Sequence, residues 1–245
     1  MARPLEDKVA LVTGASRGIG RAIARGYADA GATVLCVARS ARALAQTVAD
    51  IEASGGHAAA YVGDVTDRDR VSAVFSQVAA DYGGIDIAVL NAGVGDEPVA
   101  LEASDPEHWT QVVTTNLFGA YYCARAAIPL IKIRGGGRIV MVGSGLGHHG
   151  HATHSAYAVS KAGVWMLVRV LADEVAGDHI SVNELIPGPV RTHMTRPATD
   201  PSSVFSIESE WIKQPQDVVP LALFLATHPE PGPTGQSFSL MRRTR

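Results

Sequence analysis

The sequence predicts an α/β fold: one doubly wound, mostly parallel seven-stranded sheet with helices on both faces. Short apolar runs rich in β-branched residues alternate with helical patterns of roughly ten to fifteen residues, which is the order of βαβ units. The early strands are apolar along nearly their whole length, as expected when helices cover both faces of a sheet. No repeat, low-complexity segment or linker divides the 245 residues, which indicates a single domain over residues 1–245.

The predicted strands are short and mostly apolar, and helical segments separate them. Apolar runs of this length, set between turn residues, favour buried strands over helices. In chain order they are residues 8–13 (KVALVT), 33–37 (TVLCV), 58–62 (AAAYV), 85–90 (IDIAVL), 138–142 (RIVMV), 180–185 (ISVNEL) and 236–240 (QSFSL).

The helical patterns between these strands end at glycine in four cases, because glycine takes the left-handed conformation that closes a helix. In chain order they are residues 18–30, 40–54, 67–82, 106–133, 155–176 and 215–226. The segment at about 190–213 shows no such periodicity and is rich in proline, serine and threonine. A long loop in a compact domain is typically a lid or a binding loop, so we expect this segment to cover the substrate.

Composition excludes several classes of protein. The net charge of −3 lacks the basic field of a nucleic-acid-binding protein, so no nucleic-acid partner is expected. No apolar run reaches the roughly 20 residues that span a bilayer, and residues 1–8 lack the apolar core of a signal peptide, so no membrane partner is expected. Cys36 and Cys123 lie in apolar segments and are expected to be reduced core thiols of a cytoplasmic protein.

Glycines crowd the junction of the first strand and the first helix, at residues 13–20 (TGASRGIG). Glycine lets the backbone turn tightly and approach a pyrophosphate, and the helix N-terminus that follows offers free N–H groups and a positive dipole end. The spacing is G-x-x-x-G-x-G, which differs from the commonest dinucleotide fingerprint. The position of the turn predicts a bound dinucleotide.

The end of the second strand indicates which dinucleotide binds. An NAD site usually carries an acidic residue there that binds the ribose 2′-OH, but this chain has Ala38 followed by Arg39. Arg39, with Arg17 from the glycine-rich turn, can form charge-assisted hydrogen bonds to a 2′-phosphate. The sequence therefore predicts NADP(H) as the cofactor.

Tyr157 and Lys161 lie four residues apart, on one face of a predicted helix. A phenol with an ordinary pKa near 10 is a poor acid–base catalyst at neutral pH, and a nearby ammonium group lowers that pKa. Ser144 follows the fifth strand, at the carboxyl edge of the sheet, where ligands bind in open α/β folds. The three residues form a candidate catalytic group.

Seven motifs in order resemble the short-chain dehydrogenase/reductase family, in its single-domain, Rossmann-type branch, which includes 3-oxoacyl-(acyl-carrier-protein) reductase-like members. The resemblance extends from residue 8 to about residue 240. The motifs are the TGxxxGxG turn, Asp64-Val65, Asn91-Ala92-Gly93, Asn116, Ser144, Tyr157-x-x-x-Lys161 and Pro187-Gly188.

The resemblance implies a role for each catalytic residue. Tyr157 would be the general acid in reduction or the base in oxidation, and Lys161 would lower its pKa and hold the nicotinamide ribose. Ser144 would orient the substrate oxygen with a hydrogen bond. Asn116 would complete a proton relay through water to Lys161; a local kink of its helix is the structural alternative.

With the turn and the two arginines, the resemblance also implies the contacts to the cofactor. They fall, in chain order, on the pyrophosphate, the adenine and its ribose, and the nicotinamide. The expected residues are Gly14, Ser16, Arg17, Gly18, Ile19, Gly20, Arg39, Asp64, Val65, Asn91, Ala92, Gly93, Tyr157, Lys161, Pro187, Gly188, Val190 and Thr192.

The chain departs from the family pattern at two positions. Gly143 stands where the family often has a second serine before the catalytic one. Leu90 stands where a second asparagine often precedes Asn-Ala-Gly. Neither position supplies a catalytic group, so the chemistry is expected to be retained.

Four histidines crowd the loop before the tyrosine helix. They are His148, His149, His151 and His154. No matching set of cysteines or carboxylates accompanies them, so no metal is expected. We expect His154, three residues before Tyr157, to line the substrate pocket, together with Met194 of the lid.

Two helical segments lack a polar outer stripe: residues 162–171 (AGVWMLVRVL), and the long helix that carries Phe118, Tyr121, Tyr122, Ile128 and Leu130. A helix that packs on a sheet and is apolar on its other side as well is buried twice. The family resemblance implies a homotetramer, or a homodimer, in which these helices pack against their symmetry mates. Burial in the core of the subunit is the alternative for part of the pattern.

Together these features predict an NADP(H)-dependent oxidoreductase. It would transfer a hydride between nicotinamide and a small-molecule ketone or secondary alcohol, as a carbonyl reductase. A 3-oxoacyl group, a sugar, a steroid and a polyketide-type ketone stay open as substrates, because fold does not fix substrate. The alternatives are an NAD-dependent alcohol dehydrogenase and a non-catalytic dinucleotide-binding regulator.

Overall fold

The computed structural model describes residues 3–95, 98–195 and 211–241. Its seven strands form one sheet in the order β3-β2-β1-β4-β5-β6-β7, and every pairing is parallel. The strands are β1 (Val9–Thr13), β2 (Thr33–Ala38), β3 (His57–Val62), β4 (Ile87–Leu90), β5 (Gly137–Val142), β6 (Ile180–Ile186) and β7 (Ser237–Ser239).

Helices cover both faces of this sheet, which confirms the predicted fold class. One apolar layer packs α1, α2 and α7 against the sheet, and the other packs α3, α5 and α6 against the opposite face. The helices are α1 (Gly18–Asp29), α2 (Ala41–Ala53), α3 (Arg68–Tyr82), α4 (Pro106–Val113), α5 (Gly119–Ile133), α6 (Ser155–Glu174) and α7 (Val219–Thr227).

Helix boundaries follow from capping. The Ser40 hydroxyl accepts a hydrogen bond from the Ala43 N–H at the start of α2, and the Asp67 carboxylate accepts from the Asp69 and Arg70 N–H groups at the start of α3. These side chains satisfy amides that a helix leaves without a partner, so both residues lie just outside their helices. Gly83, in the left-handed conformation at a φ of 73°, ends α3.

The helix predicted at 106–133 is interrupted. A π-helical segment, Thr114–Phe118, separates α4 from α5, and Asn116 lies buried at its centre. The Asn116 side chain hydrogen-bonds to the backbone of Val94, outside the helix. The local kink considered for this residue is therefore present, and π-helical turns of this kind are frequent at functional sites.

The order of the strands reverses at β1, which lies between β2 and β4. The chain therefore leaves β3 and crosses to the other side of the sheet before β4. The helices that follow β1 and β4 diverge at such a point and leave a crevice at the carboxyl ends of the two strands, where ligands bind in this class of sheet.

Both cysteines are free and buried, Cys36 against one face of the sheet and Cys123 against the other. This arrangement confirms the prediction of core thiols. No helix of the described ranges is both long enough and apolar enough to cross a membrane.

Candidate active site

Thr13 and Asn91 join the carboxyl ends of β1 and β4. The Thr13 Oγ1 accepts from the N–H groups of Asn91 at 3.0 Å and Ala92 at 3.1 Å, and Asn91 Nδ2 donates to the Thr13 carbonyl at 2.9 Å. A Cβ at Gly20 would overlap the Gly14 carbonyl oxygen, so the glycine spacing is required by the fold of the turn. The Asn91 side chain thus supports the turn, a contribution that the sequence did not reveal.

A cavity of about 420 Å³ opens at this junction, where the order of the strands reverses. Most of the predicted cofactor residues line it: Gly14, Ser16, Arg17, Gly18, Ile19, Arg39, Asp64, Val65, Asn91, Ala92, Gly93 and Thr192. Met194 lines it too, and so do residues that the sequence did not single out: Ala38, Ser40, Ala43, Gly63, Val94, Thr115 and His193. The predicted residues outside this wall are Gly20, Tyr157, Lys161, Pro187, Gly188 and Val190.

The N-terminus of α1 faces the cavity without a side-chain cap. Its N-cap residue, Arg17, has an extended backbone and makes no capping hydrogen bond with its side chain. The first amides of the helix are therefore left for an anion, which the helix dipole also favours. Arg21 braces the turn from behind, since its Nη2 donates to the Ser16 carbonyl at 2.6 Å.

Arg39 and Asp64 both line the cavity and lie close to each other. Asp64 Oδ1 accepts from the N–H and the hydroxyl of Thr66, both at 2.9 Å, while Oδ2 lies 3.8 Å from Arg39 Nη1. The Arg39 side chain is 63% exposed, so its guanidinium keeps donors available to a ligand. No acidic side chain follows β2, where Ala38 lines the cavity.

Tyr157 and Lys161 project from the first two turns of α6. The Lys161 Nζ lies 5.8 Å from the centre of the Tyr157 ring and donates to the Val142 carbonyl at 2.8 Å. Ser160 links this turn to the π-helical segment, because its hydroxyl donates to the Tyr157 carbonyl and accepts from Asn116 Nδ2. The structure brings the predicted pair together at the end of β5.

Burial lowers the pKa of Lys161 to about 8 from its usual 10.5, and the negative charge of Glu184 opposes that shift. Water no longer solvates the ammonium group, so the charged form becomes less stable. In general, a charged lysine beside a phenol favours the phenolate.

Asn116 and Lys161 meet at Gly93. A Cβ at Gly93 would lie 3.0 Å from Asn116 Oδ1 and 3.7 Å from Lys161 Nζ. Asn116 Oδ1 accepts from the Val94 N–H, and its Nδ2 donates to the Val94 carbonyl. The side chain therefore holds the segment after β4 against the catalytic helix, and the relay role stays a prediction.

Ser144 begins a single 3₁₀ turn, Gly145–Gly147, which we call the serine turn. Its Oγ accepts from the Leu146 N–H at 3.2 Å, and its carbonyl accepts from the Gly147 N–H at 3.0 Å. Met241 packs against this turn from the other end of the chain, since a Cβ at Gly145 would overlap its sulfur. The serine lies at the carboxyl end of β5, as predicted.

The segment after β6 approaches the glycine-rich turn. Gly188 has a φ of 65° and packs against Met241, and a Cβ at Gly18 would lie 3.4 Å from Thr192 Cγ2. The ends of the predicted lid lie side by side, because Val190 pairs with Lys213 in a parallel bridge. Lid residues 196–210 lie outside the described residues.

The predicted substrate residues differ in environment. Met194 is about half exposed and lines the cavity, whereas His154 is buried, in ring contact with His151 at 5.4 Å. The His148 ring instead contacts a residue of β6, since its Nε2 lies 2.8 Å from Glu184 Oε2. Among the described residues, no group of three or more histidines, cysteines and carboxylates is arranged to hold a metal.

Glu184 is the residue that sequence reasoning missed. It is fully buried in β6, and its Oε1 has no hydrogen-bond partner within the described ranges. A Cβ at Gly143 would overlap this oxygen, which explains why glycine replaces serine there. The available signal was one carboxylate inside a predicted strand, directly after the polar residue Asn183.

Comparison with known proteins agrees with this geometry. Residues 8–202 match the family described as short chain dehydrogenase. A 3-oxoacyl-(acyl-carrier-protein) reductase of Thermotoga maritima is 35% identical over 235 residues, which are 95% of this chain and 95% of that protein. The corresponding reductase of Escherichia coli K12 is 37% identical over 195 residues, 80% of this chain and 78% of that protein.

Solved structures are similar over nearly the whole chain. A short-chain type dehydrogenase/reductase from Mycobacterium marinum has a TM-score of 0.90 at 34% identity and covers 97% of this chain and 95% of its own. A proposed NAD(P)-dependent gluconate 5-dehydrogenase from Beutenbergia cavernae, with NADP bound at low occupancy, has a TM-score of 0.91 at 35% identity, covering 98% and 97%. The chain therefore belongs to the short-chain dehydrogenase/reductase family.

Proposed function

We propose that this chain is an NADP(H)-dependent oxidoreductase of ketones and secondary alcohols that works as a carbonyl reductase. One observation carries the proposal: Lys161 Nζ lies 5.8 Å from the centre of the Tyr157 ring, at the sheet edge that also presents Ser144. A phenol beside a buried ammonium, with a hydroxyl close by, is suited to protonating a carbonyl oxygen. A non-catalytic binding protein would have no need of this group.

The residues of the cavity fit a nicotinamide dinucleotide phosphate. The uncapped N-terminus of α1 suits a pyrophosphate, and the glycine-rich turn leaves room for its close approach. Arg17 and Arg39 suit a 2′-phosphate, and no carboxylate at the end of β2 competes for a ribose hydroxyl. The NADP bound to the Beutenbergia cavernae protein supports the same assignment here.

Each catalytic side chain has a role in this reaction. A bound nicotinamide supplies or accepts the hydride. The Ser144 hydroxyl donates a hydrogen bond to the carbonyl oxygen and orients it. Tyr157 gives that oxygen its proton in reduction and takes it back in oxidation, while the Lys161 ammonium lowers the pKa of the phenol. Asn116 keeps the segment after β4 in place beside Lys161.

The relatives suggest which substrate to test first. Several of them are 3-oxoacyl-(acyl-carrier-protein) reductases, and a structural neighbour is a proposed gluconate 5-dehydrogenase. A 3-oxoacyl thioester and a keto sugar acid therefore lead the substrate panel. Both carry a ketone that Ser144 and Tyr157 can bind in the same way.

The subunits are proposed to assemble into a homotetramer or a homodimer. Large apolar side chains stay exposed on two neighbouring helical segments: Phe118, Tyr121, Val159, Met166 and Val170. An exposed apolar patch of this kind usually marks an interface between proteins. A second copy of the chain would cover both segments together.

The decisive experiment measures NADPH oxidation with the ketone panel for wild type and Tyr157→Phe. We expect wild-type turnover on at least one ketone, and a loss of about a thousandfold or more in the variant, because phenylalanine has no proton to donate. Cofactor binding, followed by NADPH fluorescence, should change little. Tyr82→Phe, which removes a phenol hydroxyl at the end of α3, is the control. Tight NADPH binding with no turnover on any ketone would instead support the non-catalytic alternative.

A further inference from the structure

A buried polar network lies behind the candidate catalytic group. Glu184 is at its centre, on β6, paired in register with Met141 of β5 and Ser237 of β7. Its Oε2 accepts from the Ser237 hydroxyl at 2.5 Å and lies 2.8 Å from His148 Nε2. A buried carboxylate is costly unless it is paired, so this residue calls for a functional explanation.

One face of α6 presents a row of polar and aromatic side chains towards this network. Lys161, Trp165 and Arg169 follow Tyr157 at intervals of four residues, which places all four on one side of the helix. The Arg169 guanidinium stacks 4.4 Å above the Trp165 ring and donates to the Ser237 hydroxyl at 3.2 Å. The row thus runs from the catalytic tyrosine to the bonding partners of Glu184.

His148 connects the network to the serine turn. Its backbone N–H donates to the Gly145 carbonyl at 3.0 Å, so it closes the turn that Ser144 begins. Its ring packs edge-on against Trp165 at 5.2 Å while Nε2 reaches Glu184. The His148 side chain is therefore held between Trp165 and Glu184, and its backbone in turn holds the serine turn.

Glu184 also packs against the residue before Ser144 and acts electrostatically on Lys161. Its Oε1 lies directly behind Gly143, the residue before Ser144, where a Cβ would overlap it. Its charge acts on Lys161 and raises the pKa of that side chain against the effect of burial. The carboxylate therefore faces both the turn that holds the hydroxyl and the lysine that controls the phenol.

We propose that Glu184 and His148 form a positioning pair: they anchor the serine turn, and the carboxylate charge favours the ammonium form of Lys161. The inference rests on the proposed function, which makes Ser144, Tyr157 and Lys161 the catalytic group. Neither member of the pair touches the substrate, and each acts through another residue. The ionisable groups linked to the pair are Lys161, on which Glu184 acts, and Arg169, which donates to Ser237. Neither β7 nor the π-helical segment has an ionisable residue.

Glu184→Gln tests the charge. An amide oxygen can accept the same hydrogen bonds from Ser237 and His148, so the variant removes the charge and little else. In cofactor-free protein, the ¹³C shift of the Lys161 ε-carbon, assigned by its loss in Lys161→Met, should titrate about one pH unit lower than in wild type. At high pH, loss of the Lys161 ammonium makes Tyr157 a weaker proton donor, so kcat for ketone reduction should fall. The midpoint of this fall should also move to lower pH in the variant. Glu174→Gln, on an exposed carboxylate at the end of α6, should leave both midpoints unchanged.

His148→Ala tests the anchor. We expect kcat to fall by about tenfold with little change in NADPH binding, because the turn that places the Ser144 hydroxyl loses its support. His148→Gln should restore much of the loss, since its amide nitrogen can donate to Glu184. His149→Ala removes an exposed neighbouring histidine and is the matched control.

Equal Lys161 midpoints in wild type and Glu184→Gln would overturn the charge half of the proposal. Equal effects of His148→Ala and His149→Ala would overturn the anchoring half. Thermal unfolding shows whether each variant is folded, and if Glu184→Gln is not, Glu184→Asp measures the effect of moving the charge. The lysine titration needs no turnover, so failure of the proposed function would appear separately, as a wild type that reduces no ketone.

Discussion

Asn116 holds Val94 by both of its backbone polar groups: Oδ1 accepts from the N–H at 2.8 Å, and Nδ2 donates to the carbonyl at 2.9 Å. An asparagine carboxamide matches a peptide group in this way because it has one acceptor and one donor side. The π-helical segment aims this side chain out of the helix, at the strand end beside Lys161. A distortion of the helix thus fixes the position of a loop of the cofactor cavity.

Asn116→Ala should therefore affect both stability and catalysis. Removing the carboxamide leaves two partly buried backbone groups without partners, which costs about 1–3 kcal/mol of unfolding free energy. Asn116→Asp should be no better, because a carboxylate cannot donate to the Val94 carbonyl. Chemical denaturation and NADPH oxidation measure the two effects, with the exposed Gln111→Ala as control. Wild-type stability in Asn116→Ala would contradict the bracing role.

Arg39→Ala should weaken NADPH binding by about 10- to 100-fold and leave NADH binding nearly unchanged. The lost interaction is a charge-assisted hydrogen bond to the 2′-phosphate, worth about 1.5–3 kcal/mol. Because the Arg39–Asp64 pair is largely exposed, the melting temperature should hardly move. Cofactor titrations of the variant and of Arg68→Ala, which removes an exposed arginine of α3, provide the test. An unchanged preference for NADPH would rule out the phosphate role of Arg39.

Gly143 and Glu184 should show strong coupling in a double-mutant cycle. A methyl group at Gly143 overlaps Glu184 Oε1, so Gly143→Ala should destabilise the fold by about 1–3 kcal/mol. In a Glu184→Ala background the same substitution enters free space and should cost much less. Unfolding free energies of the four proteins give the coupling directly. If the two substitutions were additive, the Glu184 carboxylate would not be the reason that position 143 requires glycine.

Lys161 should make stability depend on pH. Its folded-state pKa of about 8 lies below the value of 10.5 for an unhindered lysine, so the folded chain binds fewer protons between these two values. Unfolding free energy from this group is therefore lowest below pH 8 and rises as the pH rises towards 10.5, by about 3 kcal/mol in total. The difference between wild type and Lys161→Met should grow over that range. Lys8→Met serves as the control, because it removes a lysine charge at the surface. If the difference in unfolding free energy between wild type and Lys161→Met did not change with pH, the lowered pKa of Lys161 would be refuted.

Met166→Glu should reduce the size of the assembly. Met166 is about half exposed on α6, and a carboxylate buried in an interface between copies has no partner there. Light scattering coupled to size-exclusion chromatography should show a smaller species than wild type. Gln77→Glu, at an exposed position of α3, should keep the wild-type size. A monomeric wild type would remove the proposed interface.

The sequence predicted the fold well because its signals are local. The apolar run of β1, the glycine-rich turn and the helical pattern at 67–82 are each local signals, and the structure has each of them near the predicted position. At Asn116 the sequence left a proton relay and a local kink as alternatives, because the partner of its side chain, Val94, is 22 positions away. Local periodicity cannot report a contact of that kind.

The candidate site divides in the same way. Tyr157 and Lys161 are one helical turn apart, so their spacing alone brought them together. Glu184 went unnoticed because its partners, His148 and Ser237, are 36 and 53 positions away. Glu184 follows two other polar residues of its strand, Ser181 and Asn183, so the sequence does not distinguish it, and only the packed sheet shows its neighbours. The departure at Gly143 was a second sign of Glu184 that the sequence already contained.

Met241 has a place in this arrangement as well. It packs against Gly145 of the serine turn and against Gly188 of the segment after β6, so it lies between two segments of the candidate site. A change that displaces Met241, which follows β7, therefore also displaces the turn that carries Ser144. We therefore expect affinity tags and fusion partners attached on that side to lower the proposed reductase activity, and kinetic comparisons should use protein whose additions are at the other end.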